Sequence, residues 1–170
     1  MDYEEIDIEF KNTPKVYKDK NLSVQVEKSL LNDIMDYAKG DLNHERGGVL
    51  VGTLEETDTK YSINITDIII AKHTINRTAS LTFTHETWID IDQVMVEKYS
   101  DKIILGWFHS HPGYGVFLSG MDMFIENNFF NLPFQVAYVV DPVNDTEGFF
   151  GWEKENQIQK VKDIMFVELN

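Results

Sequence analysis

The sequence predicts a mixed α/β fold in which a mixed central β-sheet is flanked by helices. The 170-residue chain has 42% hydrophobic residues, which suits the core of one domain. Short apolar runs rich in β-branched residues alternate with longer amphipathic stretches of helical period. The sequence has no internal repeat and no low-complexity linker. We therefore expect one domain over residues 22–170, preceded by an N-terminal extension over residues 1–21.

The first half of the chain is predicted to contain four strands and two helices. Apolar, β-rich runs predict strands at 7–10, 22–26, 48–54 and 61–71. Amphipathic periodicity predicts helices at 29–39 and 84–99. Gly40 directly follows the first of these helices and is a typical helix terminator. The strand at 7–10 belongs to the extension, which we expect to pack on the domain or flank it.

The second half is predicted to contain four strands and one helix. Apolar runs predict strands at 103–108, 134–140, 149–152 and 161–167. A helix is expected to begin at Ser119, because apolar residues follow it at helical spacing. The polar segment 141–148 is expected to form a turn. This order of elements indicates one central sheet with helices packed against it.

Two histidines directly follow the apolar run 103–108. His109 and His111 are two residues apart, and side chains at this spacing on a strand point to the same face. Pro112 removes a backbone donor and ends the strand pairing. We therefore expect the two imidazoles to project side by side at the end of a buried strand.

A carboxylate is expected to lie near these imidazoles at the start of the next helix. Ser119 and Asp122 have the S-x-x-D spacing of a capping box. Asp122 then lies in the first helical turn, where the helix dipole favours the ionised carboxylate. Ionised carboxylates and neutral imidazoles are the forms that bind metal ions.

Together these residues predict a hydrolytic metal site. Two histidines and one carboxylate leave an open fourth position on zinc, which is typical of catalytic zinc sites. Water bound at such a position becomes acidic enough to react near neutral pH. Glu45, which precedes a Gly-rich entry into the strand at 48–54, is our candidate for the proton shuttle.

Five positions carry a resemblance to a known family. They are Glu45, His109, His111, Ser119 and Asp122, together with the segments 106–115, 118–122 and 139–142. This set resembles the full signature of the JAMM, or MPN, zinc metallopeptidases, and the similarity extends over roughly residues 22–152. The resemblance implies a cytidine-deaminase-like α/β architecture.

The resemblance also implies roles for these residues. It implies that His109, His111 and Asp122 bind one zinc ion per chain. It further implies that Glu45 is the general base and acid, and that Ser119 donates to the oxyanion. The implied reaction is hydrolysis of the amide bond after the C-terminal glycine of ubiquitin or a ubiquitin-like protein, either in conjugates or in precursors. Cognate activating and conjugating enzymes are further implied partners.

Two other functions remain open from the sequence. A site of two histidines and one carboxylate is also used by non-haem iron(II) oxygenases, although Glu45 and Ser119 would then have no role. Alternatively, the chain is a noncatalytic module that binds ubiquitin-like proteins without cutting them.

Composition excludes several other classes. The sequence has no cysteine, which excludes disulfides, thiolate metal sites and cysteine-protease chemistry. The net charge of -14 disfavours nucleic acid and anionic lipid as partners. The start of the sequence lacks the pattern of a signal peptide, and its apolar runs are too short to span a membrane. We therefore expect a cytoplasmic protein with no membrane partner.

Overall fold

The computed structural model describes residues 20–72, 74–77, 80–154 and 157–167 of the chain. Three helices are formed: α1 (Lys28–Lys39), α2 (His85–Lys98) and α3 (Gly120–Phe129). The strands are β1 (Asn21–Glu27), β2 (Gly47–Glu56), β3 (Lys60–Ile70), β4 (Ile75–Arg77), β5 (Ser80–Thr82), β6 (Ile103–Ser110), β7 (Val136–Asp141), β8 (Thr146–Lys154), β9 (Gln157–Lys160) and β10 (Ile164–Val167).

Eight of these strands form one mixed sheet. Its order is β10-β1-β3-β2-β6-β7-β8-β9, and β4 and β5 form a separate antiparallel hairpin. The central strand β6 pairs antiparallel with β2 on one side and parallel with β7 on the other. The end of β6 is therefore surrounded by the start of β2 and the end of β7.

Each face of the sheet is covered by its own apolar cluster. One cluster includes Leu31 and Ile34 of α1 together with Phe108 of β6. The other includes Ile91 of α2, Ile125 of α3 and Trp107 of β6. Because neighbouring residues on a strand point to opposite faces, Phe108 and Trp107 contribute to opposite clusters. His109 faces the same side as Trp107, where α3 lies.

The close approach of β7 to β6 requires a glycine. Gly106 has a φ of 149°, and a Cβ at this position would lie 1.9 Å from the carbonyl oxygen of Val136. L-residues rarely adopt this conformation, and the backbone of β7 leaves no room for a side chain. Gly106 therefore allows β7 to approach β6, the strand that leads to the histidines.

The predicted fold class is confirmed, with differences in detail. β6 extends through Ser110, two residues beyond the predicted end. β8 begins at Thr146, so the turn after β7 is shorter than predicted. The hairpin β4–β5 and strand β9 were not predicted, because strands of three or four residues show no measurable periodicity. The predicted strand at 7–10 lies outside the described residues, and the division at residues 21 and 22 remains a prediction.

The helices give no sign of a membrane span. None of the helices within the described ranges is long and apolar enough to cross a lipid bilayer.

Candidate metal centre

The two histidines lie together at the end of β6. His109 pairs with Gly47 of β2, and the backbone N–H of His111 donates to the carbonyl oxygen of Val140, 2.8 Å away. Their Nε2 atoms are 3.1 Å apart, and both side chains are completely buried. The prediction that these imidazoles project side by side is therefore confirmed.

Asp122 reaches the histidines from the first turn of α3. Ser119 is the N-cap residue, and its Oγ accepts a hydrogen bond of 3.1 Å from the backbone N–H of Asp122. Asp122 Oδ2 in turn accepts a hydrogen bond of 2.8 Å from the backbone N–H of Ser119. The predicted capping box is thus present, and it fixes the direction in which the carboxylate points.

The three candidate ligand atoms, one each from His109, His111 and Asp122, form an equilateral triangle. Asp122 Oδ2 lies 3.1 Å from the Nε2 atoms of both His109 and His111, which equals the distance between the two nitrogens. Tetrahedral zinc with bonds of about 2.0–2.1 Å has neighbouring ligands about 3.3 Å apart. Because an N–H points at one acceptor only, protons cannot satisfy three mutual contacts, whereas one cation can. The donor set therefore fits zinc.

Glu45 lies beside this triangle at the entry to β2. Its Oε1 is 3.3 Å from His111 Nε2, and its side chain is buried. Glu45 is positioned by its neighbour Arg46, which exchanges two hydrogen bonds of 2.9 Å with Ser110 at the end of β6. The ligand atoms of Glu45, His109, His111 and Asp122 all lie within 4.8 Å of one another.

One oxygen of Glu45 is available for chemistry. Glu45 Oε2 is buried and has no hydrogen-bond partner among the described residues. Burial, assisted by the charge of Asp122, raises the pKa of Glu45 to about 7, although a hydrogen bond from Tyr114 opposes this shift. A carboxyl in this range can both accept and release a proton near neutral pH.

The charges in the cluster shift the pKa values of its other members. Burial favours the neutral form of Asp122, but hydrogen bonds from His109 and His111 hold its pKa well below the usual range. Burial lowers the pKa of His109. Burial has the same tendency at His111, yet the neighbouring carboxylates of Asp122 and Glu45 raise its pKa overall.

His111 is oriented by the loop that follows it. Its Nδ1 is 3.0 Å from the carbonyl oxygen of Gly115, so Nδ1 carries a proton and Nε2 faces the cluster. The ring of Tyr114 stacks on the imidazole at 4.8 Å between centroids, with 22° between the planes. Phe117 contacts the same imidazole, also at 4.8 Å.

His109 is oriented by the core. Its ring stacks on Trp107 at 4.2 Å with an interplanar angle of 10°, and its Nδ1 has no hydrogen-bond partner within the described part of the chain. Trp107 Nε1 donates to Oε2 of the buried Glu126 at 2.5 Å. Burial raises the pKa of Glu126 to about 8, with the Trp107 hydrogen bond opposing that shift.

The structure brings together four of the five predicted site residues and places the fifth, Ser119, at the start of α3. The oxyanion role of Ser119 stays a prediction. Several contributors were not predicted: Tyr114, Phe117, Glu126 and Asp141. Tyr114 and Asp141 lie in segments that carry the family resemblance, 106–115 and 139–142, but the sequence indicated no role for either residue.

The fold and the site define a mixed α/β domain with a buried two-histidine, one-carboxylate cluster at the end of its central strand. Comparison with family models then identifies the group. The chain belongs to the JAB1/Mov34/MPN/PAD-1 ubiquitin protease family, whose model matches residues 19–132. This range contains all five predicted site residues.

Curated relatives include proteasome subunits. The chain is 29% identical over 112 residues to ubiquitin carboxyl-terminal hydrolase RPN11 of Saccharomyces cerevisiae, covering 63% of this chain and 37% of that protein. It is 31% identical over 120 residues to 26S proteasome non-ATPase regulatory subunit 14 of Caenorhabditis elegans, covering 63% and 36%. An uncharacterized protein of Caenorhabditis elegans is 28% identical over 141 residues, covering 78% and 41%. The chain thus spans about two-fifths of the length of these relatives.

A solved structure supports the fold. The solution structure of a Desulfitobacterium hafniense protein superposes with a TM-score of 0.64 at 17% sequence identity. The match covers 86% of this chain and 94% of that one, so the architecture is shared almost throughout.

Proposed function

We propose that this protein is a zinc-dependent isopeptidase or peptidase. Its proposed reaction is hydrolysis of the amide bond after the C-terminal glycine of ubiquitin or a ubiquitin-like protein. The observation that carries the proposal is the equilateral triangle of His109, His111 and Asp122 with the carboxylate of Glu45 beside it. This arrangement supplies three ligands and one free carboxylate in a buried site.

In this proposal His109, His111 and Asp122 hold one zinc ion per chain. When bound, zinc supplies a Lewis acid that polarises the scissile carbonyl and lowers the pKa of a coordinated water to about 7. The three side chains are buried, which keeps competing water away from the ligand atoms. Capping of α3 by Ser119 holds Asp122 in place.

Glu45 is the proposed proton carrier. Its unpartnered Oε2 accepts the proton that water loses as a carbon–oxygen bond forms at the carbonyl. Glu45 then delivers this proton to the departing amine as the carbon–nitrogen bond breaks. The amine is a lysine side chain in a conjugate or the next residue in a precursor.

Ser119 is the proposed donor to the oxyanion. Its Oγ uses one lone pair to accept from the backbone N–H of Asp122, which leaves its hydroxyl proton free to donate elsewhere. One side chain can therefore cap α3 and stabilise negative charge on the substrate oxygen.

The names of the relatives support a substrate related to ubiquitin. RPN11 carries the name ubiquitin carboxyl-terminal hydrolase, and other relatives are named as proteasome subunits. We propose ubiquitin-like proteins and their conjugates as partners, with cognate activating and conjugating enzymes in the same pathway. The cysteine-free sequence agrees with a reducing compartment, and we propose the cytoplasm.

Cleavage of defined substrates tests this proposal. The substrates are a linear fusion of ubiquitin to a reporter peptide, a lysine-linked ubiquitin conjugate, and matching fusions of any ubiquitin-like protein encoded beside this gene. We expect the zinc-loaded protein to cut after the C-terminal glycine, as read by intact mass, and the chelator-treated protein to be inactive. Elemental analysis of protein purified without added metal should find zinc; iron would support the oxygenase alternative.

Glu45→Gln is the matched control for catalysis. The amide preserves the size of the side chain but cannot accept a proton, so the variant should retain zinc and lose turnover. A zinc-loaded Glu45→Gln variant that cleaves at the wild-type rate would contradict the proposed proton carrier. Zinc-loaded wild type that binds these substrates without cutting them would instead support the noncatalytic alternative.

A further inference from the structure

The carboxylate of Asp141 lies at the end of β7, beside the loop that follows His111. It is completely buried and accepts five hydrogen bonds from two neighbouring segments. Oδ1 accepts from the backbone N–H groups of Gly113 at 2.9 Å, Val143 at 3.0 Å and Asn144 at 3.1 Å. Oδ2 accepts from the backbone N–H of Gly115 at 3.0 Å and from Asn144 Nδ2 at 2.7 Å.

The contacts of Gly115 connect this carboxylate to the metal site. The N–H of Gly115 donates to Asp141, and its carbonyl oxygen accepts from Nδ1 of His111. Gly115 has a φ of 92° and Gly113 a φ of 86°, both in the left-handed region. A loop with this backbone freedom needs contacts from outside the loop to hold one carbonyl in a fixed position. Asp141 supplies such contacts, because it accepts hydrogen bonds from both glycines.

We propose that Asp141 is a positioning residue of the metal site that orients His111 through Gly115. The carboxylate fixes the Gly115 peptide so that its carbonyl holds the Nδ1 proton of His111. Nε2 of His111 is then directed towards Asp122 and His109. This inference rests on the proposed function only for the identity of the ion, because the chain of contacts from Asp141 to His111 consists of protein groups alone.

The two oxygens of Asp141 provide a selective variant. In Asp141→Asn the remaining oxygen is expected to occupy the Oδ1 position, where three backbone N–H groups converge. The new NH₂ group then faces Gly115 and the side-chain amide of Asn144, which both lose their acceptor, while the turn after β7 keeps its backbone hydrogen bonds. Asp141→Asn therefore removes the hydrogen bond from Gly115, the residue whose carbonyl contacts His111.

Two measurements on the full chain test the proposal. The first is the solvent exchange of the His111 Nδ1 proton, followed by ¹H–¹⁵N NMR in metal-free and in zinc-loaded protein. The second is zinc affinity by competition with a chromophoric chelator. We expect faster exchange in Asp141→Asn and a loss of about 10- to 100-fold in zinc affinity, the usual effect of removing such an outer partner. Wild-type exchange in metal-free Asp141→Asn would overturn the proposal, whatever its zinc affinity.

Asn144→Ala is the matched control. It removes the 2.7 Å hydrogen bond from Asn144 Nδ2 to Asp141 Oδ2 but keeps the hydrogen bond from the Gly115 N–H to that oxygen. Asn144 is exposed, so the change disturbs no core contact. We expect exchange at His111 and zinc affinity to stay within about threefold of wild type. A loss equal to that of Asp141→Asn would assign the effect to the turn and overturn the proposal.

Gly115→Ala keeps the proposal testable if Asp141→Asn does not fold. An added Cβ at Gly115 meets no atom within 4 Å, so its cost is confined to the left-handed backbone. We expect the carbonyl to rotate and the Nδ1 proton of His111 to exchange faster; unchanged exchange overturns the proposal. Exchange in metal-free protein decides this inference by itself. Wild type that binds no zinc would instead overturn the proposed function.

Discussion

The two histidines of the candidate metal centre are adjacent in space but are held in different ways. His109 lies within β6, paired to β2 and stacked on Trp107 in a buried apolar cluster. His111 lies just beyond the strand, and its orientation depends on hydrogen bonds in a glycine-containing loop. His109 is oriented by packing, whereas His111 is oriented both by two aromatic rings and by a hydrogen bond to the loop. The two sides should therefore respond differently to mutation, and variants on each side can separate stability from metal affinity.

The largest effect is expected at Asp122, which contacts both histidines. Asp122→Ala removes the oxygen that lies 3.1 Å from each Nε2 atom and leaves two imidazoles as ligands. We expect zinc content after dialysis, measured by elemental analysis, to fall to background and hydrolysis to be lost. Asp122→Asn should have the same direction of effect, because the amide is a weaker ligand than the carboxylate. Full zinc content in Asp122→Ala would show that the two histidines bind the ion without α3.

Ser119→Ala should separate catalysis from metal binding. The change removes a helix N-cap, worth about 1 kcal/mol of stability, and the proposed oxyanion donor. The loss of such a donor typically lowers turnover by about 100-fold or more. We expect zinc content to be retained, because the backbone N–H of Ser119 still donates to Asp122. Wild-type turnover in kinetic assays would reject the oxyanion role and leave Ser119 as a cap alone.

Trp107→Phe tests the packed side of the comparison. Phenylalanine preserves an aromatic ring beneath His109 but leaves the buried Glu126 without its donor. A buried polar group that loses its partner costs about 1–3 kcal/mol. We expect urea unfolding of the metal-free protein, kept so by a chelator, to show this loss in the free energy of unfolding. Zinc affinity should stay within about threefold of wild type. A fall in affinity as large as in Asp141→Asn would mean that the two histidines are not held differently.

The smallest effect on the candidate metal centre is expected at Glu126, where substitution instead changes how stability depends on pH. Its pKa is raised from 4.5 to about 8 in the folded protein, because burial disfavours the charged form. The wild-type carboxyl is therefore most favourable below about pH 4.5, and this contribution is lost as the pH rises through about 8. Glu126→Gln does not titrate, so its stability relative to wild type should increase between these pH values. Urea unfolding at pH 5 and pH 8 measures the free energy of unfolding of both proteins. If the difference between variant and wild type is the same at the two pH values, Glu126 does not titrate between them.

The parts of the site that the sequence predicted are those set by local geometry. The side-by-side placement of His109 and His111 follows from strand alternation, and the position of Asp122 follows from the capping box. Glu45 was predicted from its place before a Gly-rich strand, but its 3.3 Å approach to His111 depends on the pairing of β2 with β6.

The contacts that could not be predicted join distant segments. Asp141 reaches Gly113 and Gly115 across 28 and 26 residues, and Trp107 reaches Glu126 across 19. No local pattern records such pairs, because they exist only once the sheet and α3 have packed together. For the same reason the hairpin β4–β5 and strand β9 were missed, since their pairing partners rather than their own residues define them.

The hydrogen bonds between Arg46 and Ser110 join residues 64 positions apart, directly beside two members of the cluster. Closure of so long a loop is slow, so Glu45 should join the cluster late in folding, whereas the three proposed ligands lie within 14 residues of one another. Zinc bound as proposed to the finished domain should raise its melting temperature, by an amount that increases with the logarithm of the free zinc concentration above the dissociation constant.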